Sequence, residues 1–108
     1  MIDWMQVDEL RADMGEDFAE VVQVFLQEVQ EAMDRLDPRA DAAALAADLH
    51  FLKGAALNLG FRNFAALCAM AEDRANAGQT DGFDLDAIAA SYASSRTAFL
   101  DGLARRAA

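Results

Sequence analysis

His50 is the only histidine in this 108-residue chain, and it stands in the run Leu49-His50-Phe51-Leu52-Lys53-Gly54 inside a strongly helical segment. An imidazole nitrogen is a nucleophile near neutral pH. Lys53 and Gly54 follow within about one helical turn. The set suits a helix that carries a phosphoryl group on its surface: an imidazole to bond it, an ammonium to neutralise it, and a glycine to leave room for the molecule that delivers it. A metal site is opposed by the lack of a second histidine or of any cysteine cluster.

At about 100° per residue, Leu45, Leu49, Leu52, Ala56 and Leu59 form one narrow apolar stripe, and His50 points roughly 145° away from its centre, toward solvent. Ala43, Ala47 and Gly54 share the outer face, so nothing bulky on this helix shields the ring. Glycine in a helix interior costs about 0.8–1 kcal/mol relative to alanine. Because Gly54 lies opposite the seam, the close approach it permits is by another molecule. Ala43, Ala47 and Gly54, with Leu57 a turn further on, are the expected docking residues. Lys53 lies about 60° round from His50, and its mobile stem brings a point charge beside a group bound to the imidazole.

The stretch His50-Phe51-Leu52-Lys53-Gly54-Ala55-Ala56-Leu57-Asn58-Leu59-Gly60, followed by Leu67-Cys68 and Glu72, resembles the histidine-containing phosphotransfer (HPt) domains of two-component phosphorelays. Their signature is a histidine, any residue, leucine, lysine and glycine, then a second glycine ten residues after the histidine and an acidic or amide residue in the next helix. Leu49 stands where alanine is usual and Ala55 where serine is common, departures that bear on partner preference rather than chemistry. The resemblance implies that His50 takes a phosphoryl group on Nε2 from a receiver-domain aspartate and passes it to another. It also implies that the receiver, in a response regulator or hybrid histidine kinase, supplies the magnesium ion and the acidic pocket. The chain itself is then expected to need no cofactor.

Glu72 falls twenty-two positions after His50, where the family places a group that orients the ring, and about 90° off the apolar stripe of its helix. A carboxylate accepting from Nδ1–H would fix the tautomer and leave Nε2 free. The alternative is a solvated surface glutamate paired with Lys or Arg. Asn58 and Gly60 are read as shaping the end of the histidine helix.

Nineteen acidic and nine basic residues give a net charge of −10, which opposes nucleic-acid binding. Docking must then rest on a local apolar patch, with Lys53 and Arg62 or Arg74 at its edge. One cysteine allows no internal disulfide, and Cys68, close to the stripe Phe64, Leu67, Ala71 and Ala75, reads as a small core residue. With no run of about 18 apolar residues or secretory segment, the expectation is a cytoplasmic monomer, one domain over residues 1–108. No glycine-rich nucleotide loop is present, and the length leaves no room for an ATP-binding domain, so the chain reads as a carrier and not a kinase.

The elements that must position these residues are helices. A short one spans about Val7–Met14. A second spans Asp17–Leu36, with Phe18, Val21, Val22, Phe25, Val29, Ala32, Met33 and Leu36 in period, and Asp37-Pro38 stops it. Asp41 caps the histidine helix, which runs toward Gly60. A fourth helix covers about Asn63–Ala77, and a fifth covers Asp84–Ala104 on Leu85, Ile88, Tyr92, Phe99 and Leu103, with a polar interruption at Ser95 and Arg96. Short connections predict an all-α, antiparallel up-down-up-down four-helix bundle with a short extra N-terminal helix across one end or flank.

The same residues admit two other readings. One is an HPt-like binding module that regulates a kinase or receiver without carrying phosphate, opposed by the presence of the nucleophile. The other is the excised phosphotransfer domain of a chemotaxis-type kinase, with which an acid at Glu72 is compatible. Met1 and the short tail Ala104-Arg105-Arg106-Ala107-Ala108 favour a free-standing protein.

Overall fold

The computed structural model describes residues 1–39 and 41–107. Five α-helices account for most of them: α1 (Trp4–Met14), α2 (Phe18–Arg35), α3 (Ala42–Leu59), α4 (Arg62–Asn76) and α5 (Leu85–Ala107), with one 3₁₀ turn, Gly15–Asp17, between α1 and α2. Helices α2 to α5 form an up-down-up-down bundle: α3 packs against α2 and α4, α4 against α5, and α1 crosses onto α2 and α3. No helix among the described residues is long and apolar enough to cross a membrane.

The boundaries follow local chemistry. Asp41 accepts a hydrogen bond from the Ala43 amide at 3.3 Å and starts α3. Gly60, at φ 76°, ends it in the left-handed conformation that costs glycine nothing, its amide donating to the Ala56 and Leu57 carbonyls. Leu36 turns extended ahead of Asp37-Pro38, which ends α2. Asp84 caps α5 by accepting from the Ala87 amide at 2.9 Å.

Leu45, Leu49, Leu52, Ala56 and Leu59 are all buried, as the stripe predicts, and so is Cys68. Phe61, Phe64 and Phe99 lie at the centre with no exposed surface, each contributing about 1.5–3 kcal/mol on burial. Burial pushes the Cys68 thiol up to about 12, with the Glu72 charge adding to the rise, so it stays a protonated core residue.

Four details differ from the sequence reading. Helix α1 begins at Trp4 rather than Val7, because Asp3 accepts from the Gln6 amide at 3.3 Å and caps it there. On α2 the buried face includes Leu26, while Val21 and Phe25 are only half-buried. That face is rotated toward α5, whose Tyr92 hydroxyl reaches the Leu26 carbonyl at 3.5 Å. Ser95 is buried rather than interrupting the seam, since it shares a helical face with Ile88, Tyr92 and Phe99. The tail from Ala104 to Ala107 continues α5, whereas Ala108 lies outside the described residues.

Residues 2–4 strap the start of the chain onto the α3–α4 turn. The Asp3 amide donates to the Gly60 carbonyl at 2.8 Å, and Ile2 pairs antiparallel with Phe61. A β-carbon at Gly60 would lie 2.6 Å from the Asp3 carbonyl oxygen, so Gly60 serves this close approach as well as the helix end. Trp4 then stacks on Phe99 with ring centroids 6.1 Å apart, and the Arg106 guanidinium lies 4.8 Å from its ring centroid.

Candidate functional site

Helix α3 presents His50 outward, and 70% of its side chain is exposed. The leucines either side in period, Leu49 and Leu52, go to the core with no exposure. Burying the stripe therefore fixes the azimuth of His50. Because α4 runs back antiparallel beside α3, it brings Glu72 to the histidine, and Glu72 Oε2 lies 2.9 Å from His50 Nδ1. Its other oxygen, Oε1, is 2.8 Å from Lys53 Nζ and has no other partner.

One carboxylate thus joins His50 and Lys53 of α3. Its side chain is 12% exposed and that of Lys53 31%, so Glu72 sits below the ring rather than out in water. The Lys53 ammonium holds the Glu72 carboxyl below the ordinary carboxylate range; burial opposes this and the contact with His50 adds to it. An ionised carboxylate only accepts hydrogen bonds, so the neutral imidazole in this contact must carry its proton on Nδ1. Nε2 is left with its lone pair directed to solvent.

Ala43, Ala47, Gly54 and Leu57 are all exposed on α3, with Leu57 54% exposed. A β-carbon at Gly54 would meet nothing within 4 Å. The outer face is therefore open along the helix on both sides of His50. Asn58 is exposed near the end of α3.

Arg62 and Arg74 are employed elsewhere. Arg62 pairs with Asp3 at 3.6 Å, and Arg74 donates to the Asp81 carbonyl at 2.8 Å, tying down the α4–α5 connection. Sequence reasoning missed the N-terminal strap, although Asp3 followed three residues later by Gln6 is a helix-start signal of the capping-box type. It also passed over Gly102, on whose backbone the Trp4 indole lies so closely that any β-carbon would overlap the ring.

Among the described residues no group of three or more His, Cys, Asp or Glu side chains is arranged to hold a metal ion. Comparison with protein-family models matches residues 20–98 to the Hpt domain. No curated protein and no solved structure gives a match. The match takes in most of α2, all of α3 and α4 and most of α5, together with His50, Lys53, Gly54 and Glu72, and the chain belongs to the Hpt domain family of histidine phosphotransfer modules.

Proposed function

We propose that this chain is a phosphorelay carrier in which His50 Nε2 accepts a phosphoryl group from the aspartyl phosphate of one receiver domain and yields it to the aspartate of another. The observation that carries the reading is the 2.9 Å contact between His50 Nδ1 and Glu72 Oε2. It favours the tautomer whose lone pair is on the exposed nitrogen. In acceptance, the Nε2 lone pair attacks phosphorus, the bond from phosphorus to the aspartate oxygen breaks, and the aspartate leaves as a carboxylate. No proton has to move, because Nδ1 keeps its hydrogen throughout. The positive charge that develops on the ring lies against the Glu72 carboxylate, and the reverse transfer follows the same path.

Phosphoryl transfer depends on in-line positioning and on neutralising the equatorial oxygens. Lys53 supplies one cation from this side. The family resemblance implies that the magnesium ion comes with the receiver, and on this side both oxygens of Glu72 are already engaged by His50 and Lys53. The partner approaches over Ala43, Ala47, Gly54 and Leu57, where the helix offers small side chains and one exposed leucine.

The test is incubation with a receiver domain phosphorylated on its aspartate. The expected product is an acid-labile, base-stable modification of this chain that is absent from His50→Gln. Label that persists in His50→Gln would overturn the assignment of the acceptor.

A further inference from the structure

The bundle is closed unevenly. Helices α2 and α3, α3 and α4, and α4 and α5 approach closely, whereas the backbones of α2 and α5 stand further apart and are bridged by the Tyr92 hydroxyl on the Leu26 carbonyl at 3.5 Å. Between α2 and α5 runs an open cleft of about 940 Å³. Its floor includes Val22 and Leu26 from α2 and Leu100 and Leu103 from α5. Leu100 is 37% exposed. Along α2 the cleft extends from Phe18 to Glu31, about 20 Å at 1.5 Å per residue, or about three and a half helical turns.

The charge of this cleft differs from that of the rest of the molecule. In a chain with nineteen acids and nine bases, Arg11 and Arg96 have no carboxylate within 4.0 Å among the described residues. Both line the cleft. Arg11 lies over the Phe18 ring at 4.6 Å, at the end where α2 begins. The α2 wall between them presents the neutral amides Gln23, Gln27 and Gln30. Its one acid, Glu31, accepts a hydrogen bond from Gln27 at 3.3 Å.

We propose that the α2–α5 cleft binds an acidic amphipathic helix of a partner protein, apolar face on the leucine and valine floor and carboxylates toward Arg11 and Arg96. A helix laid in a groove is read by anchors one turn apart, and the length and lining of the cleft match that mode. The cleft lies across the bundle from the α3–α4 seam that holds His50 and Glu72. A partner seated there leaves the phosphoryl site open, so the chain can be tethered to one protein while exchanging phosphate with another.

The experiment uses the whole chain, isotope-labelled, and a synthetic helix of about 14 residues with leucines on one face and glutamates flanking them. A control peptide carries lysines in place of the glutamates. The glutamate peptide should shift backbone amides of α2 and α5 around the cleft and leave those of His50, Lys53 and Glu72 unmoved. Exchange of both cations, Arg11→Glu with Arg96→Glu, should weaken binding about 10-fold or more without altering the acceptance of phosphate by His50. Both arginines are exposed, so the fold of the variant is checked by its own unperturbed spectrum. Equal binding of the lysine peptide, shifts centred on α3 and α4, or no shift at millimolar peptide would overturn the proposal. So would shifts at the cleft that grow with protein concentration alone, which would make the occupant a second copy of this chain.

Discussion

Lys53 Nζ lies 2.8 Å from Glu72 Oε1, so the lysine one turn from His50 is already paired with a carboxylate. On the phosphocarrier reading, Lys53 must then exchange one anion for another as the group arrives. The exchange favours transfer because the phosphoryl oxygens carry more negative charge than the single carboxylate that the ammonium leaves. Lys53→Ala should therefore slow transfer and change the lifetime of the phosphorylated form with little effect on receiver affinity. The check is single-turnover transfer against receiver concentration: a rise in the apparent dissociation constant with an unchanged limiting rate would make Lys53 a docking residue instead.

Glu72 is predicted to act on the ring rather than on the partner. Glu72→Ala should lower the rate of phosphoryl acceptance about 10–100-fold, the scale seen when a group orienting a histidine is removed. Nitrogen NMR should show His50 moving away from the Nδ1–H tautomer. Equal tautomer populations in the parent and the variant would show that the 2.9 Å contact does not set the proton.

Much of the site was legible because helical geometry is rigid. The apolar period of α3 fixed which way His50 and Gly54 face, and the same arithmetic put Glu72 on a flank of α4. What could not be read from one helix was the depth of that flank. Glu72 is buried because α3 lies against it, a consequence of the antiparallel pairing of the two helices and not of any residue near Glu72 in sequence. Trp4 and Gly102 are illegible for the same reason, being ninety-eight positions apart and joined only by packing. Ser95 was misjudged from its polarity alone, whereas its place on the face shared with Tyr92 and Phe99 decided its burial.

The depressed Glu72 carboxyl gives a pH dependence with a definite sign. A group whose folded-state pKa lies below its ordinary value of 4.5 contributes stability above that value and loses it as pH falls through the folded pKa. The stability difference between the parent and Glu72→Gln, measured by denaturant unfolding, should be constant near neutrality and shrink as pH falls below the ordinary value of 4.5. A difference that grows as pH falls would mean that burial, and not Lys53, dominates this carboxyl.

Gly54 and its surroundings predict opposite effects on stability and on transfer. Nothing lies within 4 Å of a β-carbon there, so Gly54→Ala should raise stability by about 0.8–1 kcal/mol. Gly54→Gln should fold at least as well as the parent and transfer far more slowly, because its side chain would occupy the face proposed for the receiver's approach. Normal transfer by Gly54→Gln would place the partner elsewhere on the helix.

Gly102 predicts a reversal of sign that depends on one distant residue. A methyl group at this position would overlap the Trp4 ring, and displacing the indole disturbs its stack on Phe99 and its contact with Arg106. Overpacking of this kind costs about 1–3 kcal/mol, against about 0.8–1 kcal/mol gained by replacing a helical glycine with alanine. Gly102→Ala should therefore destabilise the parent, and should stabilise the chain once Trp4→Ala has removed the obstacle, giving a large coupling in a double-mutant cycle. Thermal unfolding of the four proteins measures it, and the single tryptophan reports the displacement by its fluorescence. Additive effects would mean that the ring moves aside without cost, and that the N-terminal strap is held by Asp3 and Ile2 alone.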